Sequence, residues 1–213
     1  MSSIENALRE EICTVGRSLY ERGYTVGTAG NISARLEDGW LITPTDASLG
    51  HLDPARIAKV LADGSWSSGD KPSKTLALHR KIYDRNPSAK GVVHTHSTHL
   101  VALTLAGVWS ADNILPPITP YQVMKVGRVP LIGYDRPGAQ GVADQVALLA
   151  DQVRAVMLER LGPVVWESSI SKASHVLEEL EETARLWLMT QPRPAPLSDA
   201  AVEELKAVFG VTY

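Results

Sequence analysis

A chain of 213 residues, 44% hydrophobic and 21% charged, is long enough to bury a full core and too ordinary in composition to be disordered or collagen-like. A formal net charge of −3 and a pI near 6.1 exclude the basic footprint of a nucleic-acid or anionic-membrane binder, while leaving room for a small anionic substrate. Cys13 is alone, so no intrachain disulfide is possible, and neither a signal peptide nor an apolar membrane span is legible; one cytoplasmic domain over residues 1–213 is expected.

Residues 2–22 place Ile4, Leu8, Ile12, Val15 and Leu19 at three- and four-residue spacing, which predicts an amphipathic helix, with Ser2 and Glu5 resembling a capping box. "GYTVGTAGNISARL" predicts strand, tight turn and strand, and "GWLITPTD" a short strand stopped by Pro44. "RIAKVLADG" reads as strand or helix. Pro72 and Ser73 open a helix through "SKTLALHRKIYDRN" with Leu76, His79, Ile82 and Tyr83 on one face. "KGVVHTHS" predicts a buried strand, "STHLVALTLAG" a helix, "RVPLIGY" a strand, "GVADQVALLADQV" a helix and "AVMLERLGPVVWE" a hairpin-like pair. "SKASHVLEELEETARLWLMT" sets Val176, Leu177, Leu180, Ala184 and Leu188 against glutamates expected to form a solvated face. A proline-rich connector precedes a short last helix. There is no internal repeat, and strands mingled with helices without a strict βαβ period predict a layered α/β domain around a mostly antiparallel sheet.

Three of the six histidines crowd into "HTHSTH". Residues i and i+2 of a strand project to one face, so His94 and His96 point the same way, as two imidazoles gripping one divalent cation would. A lone histidine is more often a hydrogen-bonded core residue; a pair at a strand end favours a metal. His99 begins the next helix and reads as support or packing, and His51 and His175 as uninvolved. "GTAGNIS" combines glycines that let backbone approach a ligand with polar donors, although such turns are common without a ligand. "KPSKT" adds Lys71, Ser73 and Lys74 at a helix start, where free N–H groups favour anions. Together the two segments form a candidate phosphate cradle.

"GTAGNISARLEDGWLITPTD", "GDKPSKTLALHRKIY", "GVVHTHSTHLVAL" and "LEELEETARLWL", in this order and over roughly residues 5–190, resemble the class II aldolase and adducin family. Within it "SGDKPSK", "LDPARIAKV" and "ITPYQVMKVGRVPLIGYDRPG" are most similar to the 3-oxo-tetronate 4-phosphate decarboxylases. The resemblance implies a three-layer α/β/α fold with a mostly antiparallel central sheet, commonly assembled as a fourfold homotetramer with active sites between subunits. It implies a divalent metal, usually Zn2+, on His94 and His96. It also implies a phosphorylated sugar-acid substrate held by Gly30, Asn31, Thr45 and Ser73, with Lys74 beside them, and a proton-donating tyrosine, matched approximately by Tyr121, reaching across a subunit boundary.

Two positions depart from the family pattern. The acid/base glutamate of "PSxE" is Thr75 here, and threonine takes up no proton at neutral pH. The third metal histidine of "NHG" is Leu161, which ligates nothing. Glu159, two residues earlier, would share its face if both lay on a strand and could complete a His2Glu set; an exposed strand-end acid is the bland alternative. His79, one helical turn after Thr75, is another possible filler, and a weakened or absent metal site stays open. Decarboxylation of a 3-oxo acid needs no base to begin, so it tolerates Thr75 better than aldol cleavage does. A fuculose-phosphate-type aldolase and a non-catalytic adducin-like interaction domain are the alternatives.

Overall fold

The structure, a computed structural model, describes residues 3–211 and Tyr213. Eight strands form one sheet in the order β4-β3-β2-β1-β5-β8-β7-β6. They are β1 (Asn31–Arg35), β2 (Gly39–Ile42), β3 (Ala58–Leu61), β4 (Trp66–Ser68), β5 (Gly91–His94), β6 (Leu131–Ile132), β7 (Ala155–Leu158) and β8 (Gly162–Glu167). All neighbours are antiparallel except β6 and β7. The expected layered α/β fold with a mostly antiparallel sheet is what forms.

Helices cover both faces, because the sheet buries apolar residues on both. Val93 and Ile32 join the core under α1 (Ser3–Glu21), α3 (Thr98–Ala106) and α5 (Ile170–Met189), while Val92 and Ile42 join the core under α2 (Leu76–Arg85) and α4 (Gln140–Leu149). This strand period also sends Ser33 and His94 to the α2 side, which is where the cavity lies. A final helix, α6 (Asp199–Phe209), packs beside a π-turn at Gln122–Val126. No helix among the described residues is long and apolar enough to cross a membrane.

Several local expectations differ from the fold. Residues 23–29 are turn and bend rather than strand, and α2 begins at Leu76 with Thr75 at its N-cap. "RIAKVLADG" resolves as strand β3, pinned between β2 and β4. On α1, Ile4 is solvent-facing, whereas Glu5 and Arg9 are buried. The Arg9 guanidinium donates to Glu5 Oε1 and to the carbonyls of Pro54 and Ile57, and Lys59 Nζ reaches Glu5 Oε2 at 3.1 Å, so the ion pair buried there is well satisfied. Ser2, half of the expected capping box, lies outside the described residues.

The glutamates of α5 are not all solvated. Glu181 is buried; its carboxylate accepts from the backbone N–H groups of His99 and Leu100 and lies 2.8 Å from His99 Nδ1. It thus closes the start of α3, and His99 belongs to that packing rather than to a metal shell. Cys13 is a buried free thiol, pushed up to about 11 chiefly by burial.

Candidate active site

The turn before β1, the start of α2, the ends of β5 and β7 and the loop 133–140 enclose a cavity of about 400 Å³. Its wall includes Gly30, Asn31, Thr45, Ser73, Lys74 and Thr75 from the expected phosphate cradle, together with His79, His94, His96, Glu159 and Leu161. Segments distant in sequence therefore meet around one cavity.

The cradle is held by backbone pairing. Pro44 bridges Pro72, the Thr45 N–H donates to Lys71 O at 2.9 Å, and the Ser73 N–H donates to Thr43 O at 3.2 Å, locking "TPT" against "KPSKT". Ser73 Oγ and Thr75 Oγ1 are hydrogen-bonded at 2.8 Å, so Thr75 is engaged with the cradle serine. Gly30 has φ +86°, and a Cβ there would sit 2.7 Å from His94 O; only glycine lets the turn close on the histidine strand. Asn31, opposite His94 in the β1–β5 ladder, is buried with Oδ1 unpartnered.

On the other wall the rings of His94 and His96 lie 5.1 Å apart between centroids, inclined at 62°. His94 Nδ1 is 2.7 Å from Pro163 O, which accepts its proton and leaves the Nε2 lone pair free, the tautomer a ligand histidine requires. Burial foremost, and then the neighbouring His96, lower the His94 pKa to about 4, against the opposing pull of the Pro163 carbonyl; burial also lowers His96. Both imidazoles are thus neutral and able to donate a lone pair. This donor set fits an open divalent site. Yet among the described residues no three His, Cys, Asp or Glu side chains are grouped closely enough to hold an ion by themselves. β7 ends at Leu158 and β8 begins at Gly162, so Glu159 and Leu161 sit in the hairpin turn and the strand alternation expected to align them does not operate. The Glu159 carboxylate accepts from the Tyr134 N–H at 2.9 Å, and Leu161 fills wall.

Tyr121 stands apart. It is 57% exposed and lines a separate surface hollow with Tyr24, Lys125 and acidic residues of α5. His51 rests against the Tyr20 ring, and His175 lines the Tyr121 hollow. Sequence reading missed Arg136, Asp46 and Gln140, which also line the cavity. "GYDRPG" marked the loop that carries Arg136 without marking its position.

The family described as Class II Aldolase and Adducin N-terminal domain matches residues 10–188. A protein of Cupriavidus necator named 3-oxo-tetronate 4-phosphate decarboxylase is 68% identical over 212 residues, covering 97% of this chain and 98% of its own. One of the same name from Escherichia coli K12 is 45% identical over 208 residues, covering 97% and 98%. The crystal structure of YgbL from Escherichia coli superposes with a TM-score of 0.91 at 44% identity, covering 96% of this chain and all of that one. The chain belongs to the class II aldolase and adducin family.

Proposed function

We propose that the protein is a carboxy-lyase that converts a 3-oxo-tetronate 4-phosphate to dihydroxyacetone phosphate and CO2. The observation that carries this reading is one cavity with an anion-sized cradle on one wall and two neutral imidazoles on the other, in a chain whose full-length relatives bear that name.

The substrate is a 3-oxo acid. When its C1–C2 bond breaks, CO2 leaves and the electron pair stays on C2, spread onto the C3 oxygen as an enediolate; a proton delivered to C2 then gives dihydroxyacetone phosphate. No base is needed to begin, which suits Thr75 at the position where a carboxylate would otherwise stand. Gly30 and Asn31 present backbone to the phosphate, Thr45 and Ser73 present hydroxyls, and Lys74 supplies positive charge. His94 and His96 are the nitrogen ligands for a divalent ion, with Zn2+ favoured by imidazole, and Glu159 is the carboxylate on the same wall that completes the set if it leaves the Tyr134 N–H. Such an ion, when bound, supplies Lewis-acid stabilisation of the oxygen on which charge develops.

Tyr121 lines a hollow other than this cavity, so its role as proton donor requires a second copy of the chain, in keeping with a homotetramer whose sites lie between subunits. Purified protein given D- and L-3-oxo-tetronate 4-phosphates should release CO2 and dihydroxyacetone phosphate in equal amounts. Cleavage of sugar phosphates to an aldehyde without CO2 release would sink this reading in favour of an aldolase.

A further inference from the structure

We infer that His79 is a further catalytic residue, whose Nε2–H donates a hydrogen bond to the substrate oxygen on which negative charge develops. The inference rests on the decarboxylase reading of the same cavity.

His79 lies on α2, only 1% exposed, and its ring forms part of the cavity wall. Its Nδ1 edge is 2.7 Å from Ser33 Oγ, and Ser33 Oγ is in turn 2.8 Å from the Tyr83 hydroxyl. The opposite edge, Nε2, has no partner. Buried polar groups are nearly always bonded, and an orphan costs about 1–3 kcal/mol, so one on a residue that lines a cavity is a point where a ligand atom would be stabilised. Asn31 Oδ1, on the same cavity, is a second orphan.

The proposed donor requires the hydrogen-bond order that puts the His79 proton on Nε2. In that order the Tyr83 hydroxyl donates to Ser33 Oγ, its side-chain partner among the described residues. Ser33 then donates its own proton to His79 Nδ1. An imidazole that accepts at Nδ1 and is neutral bears its proton on Nε2. The reverse wiring, with Nδ1–H donating to Ser33 and Ser33 to Tyr83, leaves the tyrosine proton without a side-chain acceptor among the described residues. Burial, reinforced by nearby His94, keeps the ring uncharged.

A neutral N–H in a dry site is an electrophile that reinforces charge on an oxygen without giving the proton away. Here it lines a cavity where Thr75 stands in the place of the family's acid/base glutamate, one helical turn earlier, and Leu161 in the place of its third histidine. Ser33 and Tyr83 are positioning residues for this donor.

Spectra of the unmodified protein labelled with 15N-histidine report the tautomer directly. The expected result is an Nε2–H form of His79 whose proton moves downfield on adding dihydroxyacetone phosphate but not on adding inorganic phosphate. An Nδ1–H form, or a His79 signal unmoved by dihydroxyacetone phosphate that shifts the Gly30 and Asn31 amides, overturns the inference. In turnover, His79→Gln, which keeps an N–H near the same point, should retain kcat within about tenfold. His79→Leu should lose about 100- to 1000-fold in kcat with KM changed less than about threefold; equal losses in both variants overturn the role. If the wild-type chain releases no CO2, the decarboxylase reading fails by itself, and the tautomer and ligand shift still decide whether His79 is the donor.

Discussion

The two walls of the cavity are built to different degrees of completeness. Gly30, Asn31, Thr45, Ser73 and Lys74 form a full cradle, each on a segment clamped by backbone pairing. The facing wall offers two ready imidazoles, a leucine where a third ligand would stand and a glutamate whose carboxylate is turned to the Tyr134 N–H. Under the proposed function, the wall that would recognise the substrate is kept while the wall that would stabilise charge is thinned. The chemistry that survives such thinning is the one that asks least of it, and release of CO2 from a 3-oxo acid asks for an electron sink and a proton but no base.

The largest expected effect probes the imidazole wall. His94→Ala should lower kcat/KM by about a thousandfold and reduce bound metal, because a cation site is worth several kcal/mol to a developing oxyanion. Full activity in that variant would mean the wall contributes nothing.

Acid should attack the same wall next. His94 is lowered to about 4 and His79 to about 3, so both are neutral in the fold, while the unfolded chain takes up protons below about 6.5. Stability is therefore intact above pH 6.5 and lost as pH falls towards 4, by roughly 3 kcal/mol for an imidazole shifted as far as His94. Urea midpoints of metal-free protein across that window measure it, and a flat profile would contradict the buried neutral state.

On the cradle, Gly30→Ala forces a Cβ to within 2.7 Å of His94 O at φ +86°. It should lower stability by about 1–3 kcal/mol and move the histidine strand, so activity falls even when phosphate is saturating. The smallest effect sharpens the contrast most: Leu161→His should raise zinc retention by at least about tenfold, as a third nitrogen ligand would. Unchanged retention in dialysed protein would show that the hairpin turn does not present position 161 to the ion.

What the sequence made legible follows from periodicity. Val92, Val93 and His94 alternate between the two cores, and a period of two needs only local sterics to be read. The helix faces of α1 and α5 are legible in outline for the same reason. Buried charges escape this logic: Glu5 and Arg9 are satisfied by each other, by Lys59 and by the carbonyls of Pro54 and Ile57, and Glu181 by the first N–H groups of α3, so their polarity misreports their position. His79 is similar, since its meaning depends on Ser33, 46 residues away in sequence, and on a nitrogen left without a partner. The Glu159 expectation assumed strand geometry, whereas the hairpin turns there, with Arg160 at φ +61°. Tyr121 could not be assigned from one chain's pattern, because its surroundings within that chain are a surface hollow away from the cavity.

One consequence of the Glu181 carboxylate concerns the helix that follows the histidines. α3 begins at Thr98, two residues past His96, and the amide dipoles of a helix leave a fractional positive charge at such an end. The Glu181 carboxylate quenches it from inside the protein, so the chain leaves β5 and enters α3 without an uncompensated positive end.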